Sequence, residues 1–139
     1  MSDSGILTVH LRDRVSEDAL RDELAQLLGL SKDDVVPLDA ATPITLVPYQ
    51  YTARSRGFLS TIEVYAGRAP ESASSSDLAL AQRLAQRFAQ DALISPPAEG
   101  DQPYRWLLVR PDGTTTSVTE VPQDDDEDGI VIAEPLDAQ

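Results

Sequence analysis

Two stretches of this chain repeat apolar residues at helical spacing, and they constrain the fold more than any other feature. Leu20, Leu24, Leu27 and Leu28 fall at i, i+4, i+7 and i+8, so they share one stripe while Arg21, Asp22 and Gln26 look outward. Leu80, Ala81, Leu84, Ala85, Phe88, Ala89 and Ala92 form a second stripe, opposite Gln82, Arg83, Gln86, Arg87, Gln90 and Asp91. Its alanines let that helix approach a sheet closely. Ser16 offers the first helix an N-cap, Glu17 and Asp18 suit the positive end of its dipole, and Gly29 can take the left-handed position past its end with Leu30 folding back. Ser75 or Ser76 caps the second.

The segments around these helices alternate. Leu7, Val9 and Leu11 face one way and Thr8, His10 and Arg12 the other, the period of a half-buried strand. Pro37, Pro43 and Pro48 interrupt residues 31–50, where a turn and an irregular or edge segment are expected. Residues 49–53 read as a strand that turns at Ser55-Arg56-Gly57 into a better one over 58–66, with Phe58, Ser60, Ile62 and Val64 on one face. A loop with Pro70 and a serine run follows, and after the second helix Pro96-Pro97 stops further winding. Residues 104–109 carry large side chains on both faces, the mark of a central strand. Arg110-Pro111-Asp112-Gly113 then makes a hairpin turn, and residues 114–121 return antiparallel.

The expected fold class is therefore α+β, a mainly antiparallel sheet with two amphipathic helices on one face, in the order β-α-β(β)-α-β-β. The ferredoxin-like split βαβ, or a variant with an added hairpin near residue 50, is the nearest named plan. It implies no function, because such folds host many. Residues 1–122 make a single domain of the usual size, and 123–139 an acidic C-terminal tail with an edge strand at 130–133. Removing that tail is expected to leave folding intact, since an acidic run buries little area.

Charge is the second informative feature. The chain carries 24 acidic and 11 basic residues, and eight of the acids lie in residues 120–139, which contain no Lys or Arg. The remaining 16 acids against 11 bases leave a body of only modest negative charge, so most of the excess is local. Such a surface repels nucleic acid and anionic membranes and attracts basic protein surfaces. Cysteine is absent, which removes thiolate metal sites and nucleophiles and suits a reducing compartment. With no signal-like N-terminus and no apolar run of membrane length, a soluble cytoplasmic protein is expected.

No residue pattern selects a catalytic set. His10 is the one histidine, so any imidazole base or triad depends on it alone, and on the polar face of a strand it reads as structural. Glu63, Asp77, Asp91 and Asp112 exist as candidate acid-base carboxylates, but nothing in their spacing pairs two of them. No cofactor is implied. The nearest metal candidate is Asp124-x-Asp126-x-Asp128-Gly129, the first six positions of an EF-hand loop. It fails at position twelve, which is Pro135, with Glu134 one residue early. The ten arginines accompany no glycine-rich phosphate loop, and they are expected to pair with nearby acids or the tail.

A non-catalytic acidic binding protein fits these features, in particular a small inhibitor or immunity protein that covers a basic effector such as a nuclease or other toxin. A secretion chaperone, or an accessory or adaptor domain of a larger complex, shares the same features, and a small enzyme or ligand-binding domain with a carboxylate and arginine pocket is the alternative from another class. The expected partner is a basic protein, steered by Asp124, Asp125, Asp126, Glu127 and Asp128 with support from Asp33, Asp34 and Asp39. Tyr49, Tyr51 and Tyr65 are the aromatic candidates for a contact core.

Overall fold

A computed structural model describes residues 6–54, 56–65, 76–95, 105–120, 129–130 and 132–133. The acidic run from Asp124 to Asp128, and Glu134, lie outside the described residues. The elements are β1 (Ile6–Leu11), α1 (Glu17–Leu28), β2 (Val35–Pro37), β3 (Val47–Ala53), β4 (Arg56–Gly57), β5 (Ser60–Tyr65), α2 (Asp77–Phe88), β6 (Ala92–Ile94), β7 (Arg105–Val109), β8 (Thr115–Glu120), β9 (Gly129–Ile130) and β10 (Ile132–Ala133). Short 3-10 turns, Lys32–Asp34 and Leu38–Ala40, flank β2.

Local chemistry fixes both helices. Ser16 Oγ accepts the Ala19 N–H at the start of α1, and Ser76 Oγ accepts that of Ala79 at the start of α2. Gly29 takes φ 70°, and the Leu30 N–H reaches the Ala25 carbonyl at 2.8 Å, closing a Schellman cap. α2 ends the same way on a residue that is not glycine: Ala89 takes φ 55°, and the Gln90 N–H reaches the Ala85 carbonyl at 3.1 Å. The helix therefore stops short of the stripe read from sequence. Ala89 turns the chain, and Ala92 opens β6 instead of lining α2.

The main sheet runs β10-β8-β7-β6-β1-β5-β3-β2, and every neighbouring pair is antiparallel except β2 with β3. Its inner strands, β6-β1-β5-β3, with α1 following β1 and α2 following β5, are arranged as in the split βαβ plan. The sheet is wider than that plan, with β2 added at one edge and β7, β8 and β10 at the other. The strand occupying the fourth place is β6, three consecutive buried residues that sequence reading left without a strand; a short continuous apolar run carries no period. A separate parallel pair joins β4 to β9.

Both helices pack on one face of the sheet. Leu20, Leu24 and Leu28 of α1 and Leu80, Ala81, Leu84 and Ala85 of α2 share a core with Val9, Leu11, Val47, Tyr49, Ile62, Val64, Ile94 and Val109. The opposite face holds a smaller cluster of Phe58, Leu93, Leu108 and Val118 with Trp106 against it. Phe58 thus leaves the face expected for it: it precedes β5 and packs on the other side from Ile62 and Val64. The 110–113 hairpin forms as its sequence requires, with Gly113 at φ 92° and its N–H on the Arg110 carbonyl at 2.8 Å.

Candidate partner-binding edge

Strand β2 is an outer strand, and its backbone offers little to a further strand. The Val35 N–H is spent on the Lys32 carbonyl, its carbonyl accepts Arg21 Nε at 2.8 Å, and Pro37 has no N–H. Contacts at this edge must therefore come from side chains. Asp33, Asp34 and Asp39, picked from the sequence as field-supplying acids, all lie along it, in the two turns that bracket β2. Asp33 and Asp39 are exposed, and Asp34 closes a capping box by accepting the Ser31 N–H at 3.1 Å.

The turn Leu38–Ala40 stands between two hollows. One, of about 480 Å³, is walled by Glu17 from α1, by Pro37, Leu38 and Asp39, and by Tyr49, Gln50 and Tyr51 of β3. The other, of about 290 Å³, is walled by Asp33, Asp34, Val36, Thr42, Ile44 and Leu46 among others. Each hollow thus carries two carboxylates. Ile44 is 87% exposed and Leu38 42%, the first on a turn held by its neighbours. Thr45 N–H reaches the Thr42 carbonyl, Thr42 N–H reaches Thr45 Oγ1 at 2.9 Å, and Pro43 occupies the position of such a turn that its fixed φ suits. The cations beside this edge are committed elsewhere. Arg21 also donates to the Lys32 carbonyl, and Lys32 pairs with Asp18 at 2.6 Å and Asp22 at 3.5 Å. That ammonium holds the Asp18 carboxyl below its ordinary range.

The three tyrosines do not gather into one contact surface. Tyr49 is 1% exposed, its ring is in the helix-side core and its hydroxyl donates to Glu17 Oε1 at 2.8 Å. Burial, and then the Glu17 carboxylate, push that phenol far above its ordinary value, so it stays a donor. Tyr51 packs against the same core, and its hydroxyl meets Ser60 Oγ at 2.9 Å and accepts the Val15 N–H at 3.2 Å. Tyr65 ends β5, away from β2, with its phenol raised by desolvation and by Glu63. Two of the three therefore serve this edge only as the wall of the larger hollow.

His10 sits on the helix-free face but is not wetted there. It is 8% exposed, its Nδ1 lies 2.9 Å from Thr61 Oγ1, and its ring meets Trp106 edge-on at 5.2 Å. Arg54 Nε donates to the same Thr61 oxygen at 3.1 Å. Burial, aided by the Arg54 charge, lowers the imidazole to about 4 and keeps it neutral. Glu23, which the sequence leaves unremarked on α1, is buried and accepts Arg83 Nε and Arg87 Nε at 2.9 Å each, clamping the two helices. Of the dispersed carboxylates, Asp91 pairs with Arg12 at 3.1 Å, Asp77 accepts the Thr8 N–H and Asp112 accepts that of Thr114.

Sequence reasoning missed Glu17 and Ile44 as members of the edge. Glu17 read as a helix-dipole residue, and Ile44 lies in a proline-broken segment without periodicity; an isolated large aliphatic there was the one available signal. Among the described residues no group of three or more His, Asp or Glu is placed to hold a metal ion, and no helix is long and apolar enough to cross a membrane. Scans of protein-family models, curated proteins and solved structures found no match to this chain.

Proposed function

We propose that this chain is a non-catalytic acidic binding protein that covers a basic protein effector, in its most specific form an inhibitor or immunity protein, and that the β2 edge is its contact surface. One observation carries the reading. Ile44, the most exposed large aliphatic among the described residues, stands on a turn locked by Thr42 and Thr45 and lines one hollow with Asp33 and Asp34, while Asp39 lies in the turn Leu38–Ala40 that follows β2. A rigid apolar anchor inside a charged rim is how specific interfaces divide their work: the anchor supplies affinity and the rim supplies steering and register. The turn is already ordered, so little entropy is lost when it docks. The lack of cysteine suits a partner met in the cytoplasm.

The test is association kinetics with a cationic protein recovered from the native host. The on-rate should fall steeply as the Debye length shortens from about 30 Å at 0.01 M salt to about 8 Å at 0.15 M. Asp33→Asn, Asp34→Asn and Asp39→Asn together should slow association, whereas Ile44→Ala should mainly speed dissociation. A neutral or acidic partner, or an on-rate indifferent to salt and to the three substitutions, removes the reading.

A further inference from the structure

The larger hollow has a composition that its neighbours do not explain. Glu17 gives one carboxylate oxygen to the Tyr49 hydroxyl, and Asp39 makes no ion pair among the described residues. Tyr49 remains protonated beside them and contributes no charge. Arg21, whose charge acts on Tyr49, has its guanidinium on the Val35 and Lys32 carbonyls. Two carboxylates thus face a hollow of about 480 Å³. That space is far larger than a water or bare ion fills, since a water takes about 30 Å³. Its other walls are Pro37, Leu38 and Tyr51, which are apolar or aromatic, and the neutral amide of Gln50, which leaves the two carboxylates without a cation in the lining.

We infer that this hollow receives an arginine side chain of the basic partner, its methylene stem against Pro37 and Leu38 and its guanidinium between Tyr51, Glu17 and Asp39. The inference rests on the binding reading above and adds the chemistry of one subsite. A guanidinium suits it better than an ammonium. It is planar, can lie on an aromatic ring, carries five donors in a fixed fork for carboxylates, and loses less hydration than a lysine head. The stem covers the apolar wall while the charged end meets the acids.

The experiment uses the full chain with N-acetyl-arginine methylamide as probe, followed by NMR of backbone amides and tyrosine rings. Saturable shifts should centre on Leu38, Asp39 and Tyr51. The capped citrulline analogue, the same shape without charge, should bind about tenfold more weakly or not at all, and the capped lysine should fall between. Glu17→Gln keeps an acceptor for the Tyr49 hydroxyl and removes only the charge; with Asp39→Asn it should abolish the shifts while the thermal melt stays that of the parent. Equal shifts with citrulline, shifts confined to Asp33 and Asp34, or none at about 50 mM probe overturn the inference. The two readings fail separately. A basic partner with a salt-dependent on-rate, combined with an arginine probe that leaves Leu38 and Asp39 unmoved, sinks the subsite alone. Arginine bound in the hollow with no basic protein partner sinks the functional reading alone.

Discussion

The two faces of the sheet are stabilised by different means. Under α1 and α2 the buried apolar residues are aliphatic or alanine apart from Tyr49 and interdigitate across two layers, with Glu23 the buried charge that clamps the two helices. On the helix-free face the buried apolar cluster among the described residues is Phe58, Leu93, Leu108 and Val118, and directed contacts surround it. Arg12 lies over the Phe58 ring at 4.5 Å and pairs with Asp91, Trp106 donates to Glu120 at 3.0 Å, and His10 is held by Thr61 and Trp106. The difference teaches where each kind of perturbation will act. Volume changes matter most under the helices, whereas pH and loss of local pairing matter most on the other face.

The largest effect should come from charge placed under the helices. Leu24 and Leu84 are both fully buried in the larger cluster. Leu24→Asp and Leu84→Asp each bury a carboxylate with no partner, at a cost of several kcal/mol that is comparable to the whole stability of a domain. Circular dichroism should show both variants unfolded at room temperature. Cooperative melts within a few degrees of the parent would mean that the helix-side core does not dominate stability.

That face is also the one the sequence made legible. Leu20, Leu24 and Leu28 repeat at helical spacing because a helix buries one stripe, and Ser16 and Gly29 mark its ends through hydrogen bonds local to the chain. The acids of the β2 edge were legible as residues but not as a surface, since their position depends on β2 pairing in parallel with β3 across a proline-broken segment. Three things had no local signal. Ala89 ends α2 in a left-handed conformation that alanine seldom adopts, which hid the boundary and with it β6. The burial of His10 depends on Trp106, which arrives from 96 residues away in sequence. Glu17 joined the larger hollow only through Tyr49, again a long-range contact.

An intermediate effect should appear on the helix-free face as pH falls. His10 titrates near 4 in the folded chain against an ordinary value of 6.5, so the unfolded chain takes up the proton first. The stability this represents is fully present above about pH 6.5 and is lost progressively as pH drops toward about 4. At about 1.4 kcal/mol for each unit of difference, the loss between pH 7 and pH 5 is about 2 kcal/mol. Urea melts of the parent and of His10→Gln at those two pH values isolate it. The parent should lose about 2 kcal/mol more than the variant, whose side chain does not titrate, and equal losses would show that His10 is hydrated enough to ionise in place.

The smallest effect concerns the tail, and it separates what the sequence alone implies from what the pairing implies. An acidic run that buries little area should be dispensable, yet Ile132–Ala133 pairs with Thr119 and Glu120 of β8, and Gly129–Ile130 pairs with Arg56–Gly57. The second pairing holds the segment that leads directly into Phe58, the largest side chain of the helix-free cluster apart from Trp106. Deleting residues 123–139 removes a few backbone hydrogen bonds that water largely replaces, together worth about 1 kcal/mol net, and frees one side of β8. The truncated chain should remain folded, with its melting temperature lower by about 5 °C and its far-ultraviolet spectrum unchanged. Trp106 fluorescence should shift, because the loss falls on its side of the sheet, whereas a Tyr49 ring signal, under the helices, should not move. An unchanged melting temperature would show that β9 and β10 contribute nothing. Global unfolding would show that the helix-free face holds the fold as strongly as the helix-covered one, and the contrast between them would fall.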